Sequence, residues 1–339
     1  MAGSAAVTEV AEPASGEGTV LVDTLLVGVC GTDIEIASGD YGWAPPGRDR
    51  LVLGHESLGR VVEAPAASGL APGDLVVGIV RRPDPVPCGP CAIGQWDMCR
   101  NGLYTERGIK EIDGYASERY RIEPEYAVKV DVGLGDAGVL LEPTSVVAKA
   151  WDHIDRIASR AHIEISTVLV TGAGPIGLLA ALLATQHGLQ VHVLDRVESG
   201  PKPELVAALG ANYHTGSMAD ACPAPDVVVE CTGVGQLVLD AMGHTGPSGI
   251  VCLTGVSSGG RDLTVDAGLI NRRMVLENDV VFGTVNANRA HYEAAAVALA
   301  AADRRWLEGL ITRRVALDDF AGALERQPDD VKVVLEIAL

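Results

Sequence analysis

Two groups of residues in this chain have types and spacings that indicate binding sites. The first offers a thiol, an imidazole and two carboxylates, which are ligand types that zinc takes in catalytic sites. It consists of Cys30, His55, Glu56 and Glu142. The second is the turn Gly-Ala-Gly-Pro-Ile-Gly at 172–177, which is typical of a dinucleotide phosphate site. A Lewis-acidic metal and a nicotinamide cofactor together predict hydride transfer from an alcohol.

Members of the zinc group also have ordinary structural explanations when each is taken alone. Cys30 follows a predicted strand, and a lone cysteine is most often a small buried hydrophobe. Glu142 precedes Pro143 at a predicted helix start, where the helix dipole stabilises a carboxylate without any metal. Residue types and spacing alone therefore leave open whether these side chains share an ion.

The glycine-rich turn has the context that a bare Gly-x-Gly-x-x-Gly pattern lacks. It follows a β-branched run and opens an apolar helix, so Gly172 permits the turn, Gly174 lets the pyrophosphate approach and Gly177 lets helix and strand pack closely. Asp195 lies 18 positions after Gly177, at the end of the next predicted strand. A carboxylate there accepts hydrogen bonds from ribose hydroxyls and repels a 2′-phosphate. We therefore predict that NAD is preferred, with NADP as the second choice because Arg196 could attract a phosphate.

The elements that position these residues change type along the chain, and the first part is predicted to be mostly β. Runs of β-branched residues with partial alternation indicate strands, and Ala-Pro-Gly-Asp at 71–74 indicates a turn. The predicted strands are 19–29, 57–63, 75–80 and 115–122. Residues 81–107 are rich in Pro, Cys, Gly and Arg and indicate an irregular lobe.

Beyond residue 140, strands and helices alternate. The predicted helices are 140–156, 175–187, 203–209 and 235–242, and the predicted strands are 167–171, 190–195, 226–231 and 249–254. This alternation predicts an α/β fold with a doubly wound parallel sheet. The tail is predicted to return to the β-rich first part, with helices at 289–302 and 318–325 and a strand at 331–337.

Composition argues against several classes of function. The net charge of −19 and the pI of about 4.7 disfavour non-specific binding to nucleic acid or to an anionic membrane. The most apolar stretch, 168–184, is interrupted by the glycine-rich turn and suits a strand and a buried helix better than a membrane span. The N-terminus has no basic region and no sustained apolar run, so it does not resemble a signal peptide, and we expect a cytoplasmic protein.

Segments throughout the chain resemble the medium-chain dehydrogenase/reductase superfamily, the zinc alcohol and polyol dehydrogenases, and within it the archaeal and bacterial glucose 1-dehydrogenases. The matching segments are GVCGTDIEI at 28–36, LVLGHESLGRVVE at 51–63, RRPDPVPC at 81–88, the run 94–118, LLEPTSVVAKAW at 140–151 and FGTVN at 282–286. The resemblance implies a GroES-like, mostly-β catalytic domain (1–148 and 287–339) and a Rossmann domain (149–286). It also implies a homodimer or homotetramer.

The same resemblance implies roles for the zinc group. Cys30 and His55 correspond to ligands of the catalytic zinc, with Glu56 and Glu142 as near or alternating ligands. Thr32 corresponds to the hydroxyl that relays the substrate proton through the cofactor ribose. The resemblance therefore implies that the residues of the first group form a single catalytic site.

Further implied roles concern the relay, the substrate and the cofactor. Glu35 stands where many alcohol dehydrogenases carry a histidine that completes the relay, so the end of the relay is altered in this chain. Glu118 and His291 fall where the subfamily contacts sugar hydroxyls, the alternative being ordinary partly exposed polar residues. The remaining expected cofactor contacts are Pro175, Ile176, Thr232, Thr254, Val285 and Asn286.

A second zinc is in question at the cysteines of the lobe. The superfamily's structural zinc uses Cys-x2-Cys-x2-Cys-x7-Cys, and in this chain Pro85 stands at the first of these positions, followed by Cys88, Cys91 and Cys99. Closed structural sites are four-coordinate. The alternatives are a zinc completed by Asp84 or water and a metal-free lobe with reduced thiols, since a disulfide is disfavoured in a reducing cytosol.

The combined prediction is oxidation of a sugar hydroxyl with formation of NAD(P)H, the C1 hydroxyl of glucose or a related aldose giving a lactone. One alternative is the same chemistry on another polyol, cyclitol or sugar-derived metabolite, because a fold does not fix a substrate. Another, from a different class, is a nucleotide-binding protein without zinc-dependent alcohol chemistry. The expected partner is therefore a small sugar or polyol, with no nucleic acid and no membrane.

Overall fold

The computed structural model of the protein describes residues 5–257, 259 and 262–337. The chain divides into two units, one formed by Met1–Ser145 and Asn286–Leu339 and the other by Val146–Val285. Among the described residues, no helix has both the length and the apolar character to cross a bilayer.

Mostly short strands and helices make up the two units. The strands are β1 (Val20–Val29), β2 (Glu56–Glu63), β3 (Leu75–Gly78), β4 (Arg81–Arg82), β5 (Thr105–Arg107), β6 (Glu111–Ile112), β7 (Arg119–Ile122), β8 (Ala127–Val130), β9 (Thr167–Thr171), β10 (Gln190–Leu194), β11 (Asn212–His214), β12 (Val227–Glu230), β13 (Ile250–Leu253), β14 (Val280–Gly283), β15 (Ile311–Ala316) and β16 (Lys332–Glu336). The α-helices are α1 (Gly31–Ser38), α2 (Gly89–Ala92), α3 (Leu141–Ala158), α4 (Pro175–Gln186), α5 (Pro201–Ala208), α6 (Met218–Ala221), α7 (Gly235–Ala241), α8 (Ala267–Glu277), α9 (Arg289–Ala300), α10 (Arg304–Leu310) and α11 (Phe320–Leu324).

The β-rich unit is built on a seven-stranded sheet in the order β15-β16-β1-β2-β3-β8, with β7 also paired to β1. Most side chains of β1 are buried, which suits a strand with neighbours on both sides. β1 pairs antiparallel with β7 through its first half and with β16 through its second half. The tail thus returns to the first strand, and the prediction made from its pattern is confirmed.

The predicted strand 115–122 is wrong in its first half. There the chain crosses the loop before β2, where the amide of Tyr115 donates to Gly54 O and that of Ala116 to Leu53 O, both at 2.9 Å. Regular sheet pairing begins only at β7. The prediction that the first part is mostly β also omits α1, which directly follows β1 and carries part of the site described below.

The second unit contains a six-stranded, wholly parallel sheet in the order β11-β10-β9-β12-β13-β14. The predicted α/β fold with a doubly wound sheet is confirmed. Connections run one way from β9 to β11 and the other way from β12 to β14, so the carboxyl ends of β9 and β12 flank the crevice where such sheets bind nucleotides. Helix α4 follows β9 and is buried over most of its length.

Candidate active site

The zinc group is brought together where β1 and β2 meet α1. Cys30 is the N-cap of α1, directly after β1, and His55 and Glu56 lie at the start of β2. Because β1 and β2 pair antiparallel with Gly28 opposite Glu56, these three residues lie at the same edge of the sheet. One ligand atom from each of the three lies within 4.8 Å of the other two.

Gly28 makes room for the carboxylate of Glu56. A Cβ atom on Gly28 would stand 2.1 Å from Glu56 Oε2, so a larger residue would push the carboxylate out of place. His55 and Glu56 are buried, and Cys30 is partly exposed. A thiol, an imidazole and a carboxylate with one partly open side fit a catalytic zinc, which keeps a coordination position for water or substrate.

His55 is held by Asp33, a carboxylate that the sequence interpretation did not select. One oxygen of Asp33 accepts a hydrogen bond from the amide of Cys30 at 2.8 Å, and the other lies 3.3 Å from His55 Nδ1, which leaves Nε2 for a metal. Burial opposes ionisation of both side chains. The opposite charges nevertheless lower the pKa of Asp33 and raise that of His55 well above its usual value. The available signal was an acidic residue three positions after the cysteine, as in a capping box.

Glu56 is held by a buried cation from the tail. Lys332, the first residue of β16, forms an ion pair with Glu56 Oε2 and donates a hydrogen bond to Val29 O at 3.3 Å. Burial opposes the ammonium charge, but Glu56 raises the pKa of Lys332 above its usual value. Removing one partner of such a pair would leave an uncompensated buried charge. No local sequence pattern predicts the role of this lysine, because its partner, Glu56, lies far from it along the chain.

Glu142 lies in the first turn of α3 and is buried. Burial, followed by the charge of the nearby Glu56, raises its pKa to about 7. Within the described part of the chain, Glu142 does not belong to the group whose ligand atoms lie within 4.8 Å of one another. It is therefore a buried neighbour of the donor set and not one of its members.

Two predicted relay residues lie on α1. Oγ1 of Thr32 is 3.9 Å from Sγ of Cys30, so this hydroxyl borders the donor set. Glu35 is exposed on the same helix. The helix therefore carries one polar group at the site and one at the surface.

The two predicted sugar contacts lie in different surroundings. His291 is buried in the first turn of α9, where its Nδ1 accepts from the amide of Asn288 and lies 4.0 Å from Asp97 Oδ2. Glu118 is exposed just before β7, and its carbonyl accepts a hydrogen bond from the amide of Thr24 at 2.9 Å. Both belong to the β-rich unit.

The glycine-rich turn joins β9 to α4. Gly172 has a φ of 90°, and a Cβ on Gly177 would stand 1.8 Å from the carbonyl oxygen of Gly172, so these two positions require glycine. Gly174 is the N-cap of α4 and has open space where a Cβ would project, and Pro175 and Ile176 begin the helix. An open backbone at the N-terminus of a helix fits a pyrophosphate.

Asp195 follows β10 and is already bonded within the protein. Its Oδ2 accepts from the amide of Ala173 at 2.7 Å, its Oδ1 accepts from the amide of Val197 at 3.1 Å, and Lys202 Nζ lies 3.4 Å away. Burial favours the neutral acid, but these donors lower the pKa of Asp195 below its usual value. Arg196 is exposed. The sequence interpretation did not foresee Lys202, and the carboxylate has less capacity for ribose hydroxyls than an unbonded one.

The other predicted cofactor contacts are spread over both units. Thr232 and Thr254 follow β12 and β13, and both hydroxyls donate to Glu230. Val285, the last residue of the second unit, is exposed. Asn286 is buried in the β-rich unit, where its side chain donates to a carboxylate of β5 at 2.7 Å.

The three sulphurs of the lobe also lie together, because those of Cys88, Cys91 and Cys99 are within 4.8 Å of one another. Backbone hydrogen bonds lower the pKa of Cys88 to about 7, whereas burial raises that of Cys91 to about 11. Asp84 does not belong to this group within the described residues. Its amide faces the thiol of Cys91, and its carboxylate accepts from the amide of Val86 at 2.7 Å.

The β-rich unit with its zinc donor set and the parallel sheet with its phosphate turn define a class of protein, the zinc-type medium-chain dehydrogenases. The family model for the alcohol dehydrogenase GroES-like domain matches residues 16–132, and the model for the glucose dehydrogenase C-terminus matches residues 135–337. The chain belongs to the glucose dehydrogenase family, and the resemblance found in its motifs is confirmed.

Similar proteins span nearly the whole chain. The chain is 41% identical over 342 residues to the glucose 1-dehydrogenase of Methanocella arvoryzae, covering 98% of this chain and 95% of that protein. It is 38% identical to glucose 1-dehydrogenase 2 of Vulcanisaeta moutnovskia, covering 97% and 94%. A solved structure of Haloferax mediterranei glucose dehydrogenase in complex with NADP, Zn and gluconolactone matches with a TM-score of 0.88 and 33% identity, covering 98% and 95%.

Proposed function

We propose that the protein oxidises the C1 hydroxyl of glucose, or of a closely related aldose, to the lactone with zinc and a nicotinamide dinucleotide. The observation that carries the proposal is the grouped donor set of Cys30, His55 and Glu56 in a chain 41% identical to a glucose 1-dehydrogenase. The similar structure that holds NADP, Zn and gluconolactone supports a lactone as the product.

Cys30, His55 and Glu56 are the residues that would hold zinc, and Asp33 and Lys332 keep two of them oriented. When bound, the metal lowers the pKa of the sugar hydroxyl, and the nicotinamide accepts the hydride. The donors come from strand ends and a helix start in a packed sheet, which keeps the site rigid.

We assign the first proton transfer to Thr32, whose hydroxyl borders Cys30. Glu35, exposed on the same helix, is assigned the release of the proton to solvent. His291 and Glu118 remain the proposed contacts to sugar hydroxyls. Of these, His291 is the better held, because it is buried in the first turn of α9.

The phosphate turn 172–177 would bind the pyrophosphate, with Asp195 at the adenosine ribose. We propose that NAD is preferred and that NADP is also accepted. The ionised Asp195 disfavours a 2′-phosphate, and Lys202, 3.4 Å from it, offsets part of this repulsion. The NADP in the similar structure supports this tolerance.

We further propose a second, more weakly bound zinc in the lobe, held by Cys88, Cys91 and Cys99. Three sulphurs within 4.8 Å of one another suit a single ion, and solvent would supply the fourth ligand. A cytoplasmic location agrees with seven cysteines, all in the described part of the chain, none of which forms a disulfide.

Metal analysis and a substrate panel test the main proposal. We expect at least one zinc per chain and NAD(P)-dependent turnover of glucose above that of polyols and cyclitols. Cys30→Ala should lose the catalytic zinc and turnover while still binding NADH, measured by fluorescence. Full activity in zinc-free protein would overturn the mechanism, and turnover of polyols without any aldose would overturn the substrate.

A further inference from the structure

Glu230 is the last residue of β12 and lies at the crevice of the parallel sheet. In the register of the sheet it stands opposite Thr171 of β9 on one side and Leu253 of β13 on the other. Glu230 is completely buried. Because the strand order reverses between β9 and β12, this carboxylate lies beneath the site at which doubly wound sheets bind a dinucleotide.

The carboxylate of Glu230 accepts hydrogen bonds from the loop that follows β12. These come from the amide of Thr232 at 2.8 Å, the amide of Gly233 at 3.1 Å and the hydroxyl of Thr232. It also accepts from Thr171 Oγ1, 3.3 Å away and next to the phosphate turn. One buried side chain therefore joins the end of β9 to the loop after β12.

The backbone of Glu230 anchors a second loop. Its carbonyl oxygen accepts from the amide and the hydroxyl of Thr254, both at 2.8 Å, and from the amide of Gly255 at 3.0 Å. A Cβ on Gly255 would stand 2.2 Å from Gly233 N and 2.8 Å from Glu230 Oε2. The loops after β12 and β13 are thus pressed together against this carboxylate.

These bonds require a carboxylate rather than an amide. An ionised carboxylate only accepts hydrogen bonds, whereas a glutamine would turn its NH2 group toward some of the same donors. A buried donor left without an acceptor is costly, and hydrogen bonds to a charged group are among the stronger ones. Glu230→Gln keeps the size of the side chain but removes part of the anchor.

We infer that Glu230 is a positioning residue for the cofactor, holding the loops after β12 and β13 in the shape that receives the nicotinamide half. The inference rests on the proposed nicotinamide-dependent function. Asp195 lies in the first half of the sheet, which binds the adenosine side of the cofactor. The second half, with Thr232 and Thr254, then binds the nicotinamide mononucleotide. Glu230 itself acts through these loops.

Asp226 offers a matched control at the opposite end of the same strand pair. It directly precedes β12, and its Oδ2 accepts from the amide and hydroxyl of Ser166 at 2.8 and 2.9 Å and from the amide of Thr167 at 2.9 Å. Like Glu230, it is a carboxylate that collects several donors next to β9. It differs in lying at the amino ends of the strands, away from the nucleotide crevice.

The test compares Glu230→Gln and Asp226→Asn in the full-length protein. NADH and NADPH dissociation constants are measured by fluorescence titration, and amide hydrogen exchange of 231–234 and 254–257 is measured without cofactor. We expect Glu230→Gln to weaken binding of both nucleotides by roughly tenfold or more and to speed exchange in these loops. Asp226→Asn should leave both measurements unchanged even if it lowers Tm by a similar amount.

Normal nucleotide affinity in Glu230→Gln, or an equal loss of affinity in Asp226→Asn, would overturn the positioning role. The first outcome would leave the carboxylate with a folding role only. A wild-type protein that bound neither nucleotide would instead overturn the proposed function together with this inference, so the two failures are distinguishable.

Discussion

Two of the three residues of the zinc donor set are held by a charged side chain next to them. Asp33 faces His55, and Lys332 is paired with Glu56. These contacts fix which nitrogen and which oxygen remain for a metal, so the site is organised before an ion enters. The cost is the burial of Asp33, Glu56 and Lys332, which is tolerable because each of these charged groups has a partner.

Asp33→Asn should weaken zinc binding by about 10- to 100-fold. The amide can still accept from Cys30, so α1 stays capped, but the negative charge that orients His55 is lost. Zinc affinity is measured by competition with a chromophoric chelator. Glu35→Gln, on the exposed side of the same helix, is the control and should bind zinc normally. Equal affinity in the two variants would contradict the role given to Asp33.

Cofactor choice should respond to both members of the Asp195–Lys202 pair. Asp195→Asn keeps an acceptor for the phosphate turn and removes the charge, so NADP should gain about tenfold in affinity relative to NAD. Lys202→Met should act in the opposite direction. Dissociation constants of both nucleotides give the ratio, and a ratio that stays constant in both variants would show that the 2′ position lies elsewhere.

Sequence patterns predict only some of the residues that form and support the zinc and cofactor sites. They select Cys30, His55 and Glu56, because these lie in recognisable local motifs. They miss Lys332, because its ion pair with Glu56 exists only after β16 has joined β1. They predict that the carboxylate of Asp195 is free to bind ribose hydroxyls. The amides that donate to this carboxylate belong to the backbone, and no pattern of side chains shows how they are oriented.

At the scale of elements, predictability follows length and burial. β1, β9 and α4 are predicted because they are made mostly of apolar residues, which are buried in the structure. α1 is missed because it is eight residues long and begins with a glycine. α8 is missed, and none of its residues is buried, so its apolar side chains lie outside the core of the unit. Tertiary context decides these elements.

The three-cysteine lobe gives a prediction at this scale. Protein purified without chelator should contain close to two zinc ions per chain, and mild chelation should remove the one in the lobe first, because its fourth position is open to exchange. Cys91→Ser should remove that ion while sugar oxidation continues, and Cys30→Ala should remove the other. Zinc counts by mass spectrometry check both, and one zinc per chain in wild type and Cys30→Ala alike would contradict the assignment.

At the scale of the whole molecule, apolar side chains are exposed on a strongly acidic protein. The net charge of −19 provides a strongly solvated exterior, yet the second unit exposes apolar side chains in α8, the helix that precedes its edge strand β14 in the chain. In α8, Leu269, Val275 and Leu276 are each more than 60% exposed. An edge strand and an exposed apolar helix are each common sites of pairing between copies of a chain.

We expect the protein to be a homodimer, or a homotetramer built from such dimers, that uses this apolar surface. Replacing Leu269 and Leu276 together by glutamate should then yield monomers that keep zinc and cofactor binding, because neither side chain is buried within its own unit. Light scattering coupled to size-exclusion chromatography measures the mass. Val297→Glu changes an equally exposed residue, on α9 of the β-rich unit, and should leave the assembly intact. An unchanged mass in the double variant would show that the interface does not include α8. A dimer contact through α8 would place the two new glutamates of each copy against those of the other copy, and such buried like charges would not be tolerated.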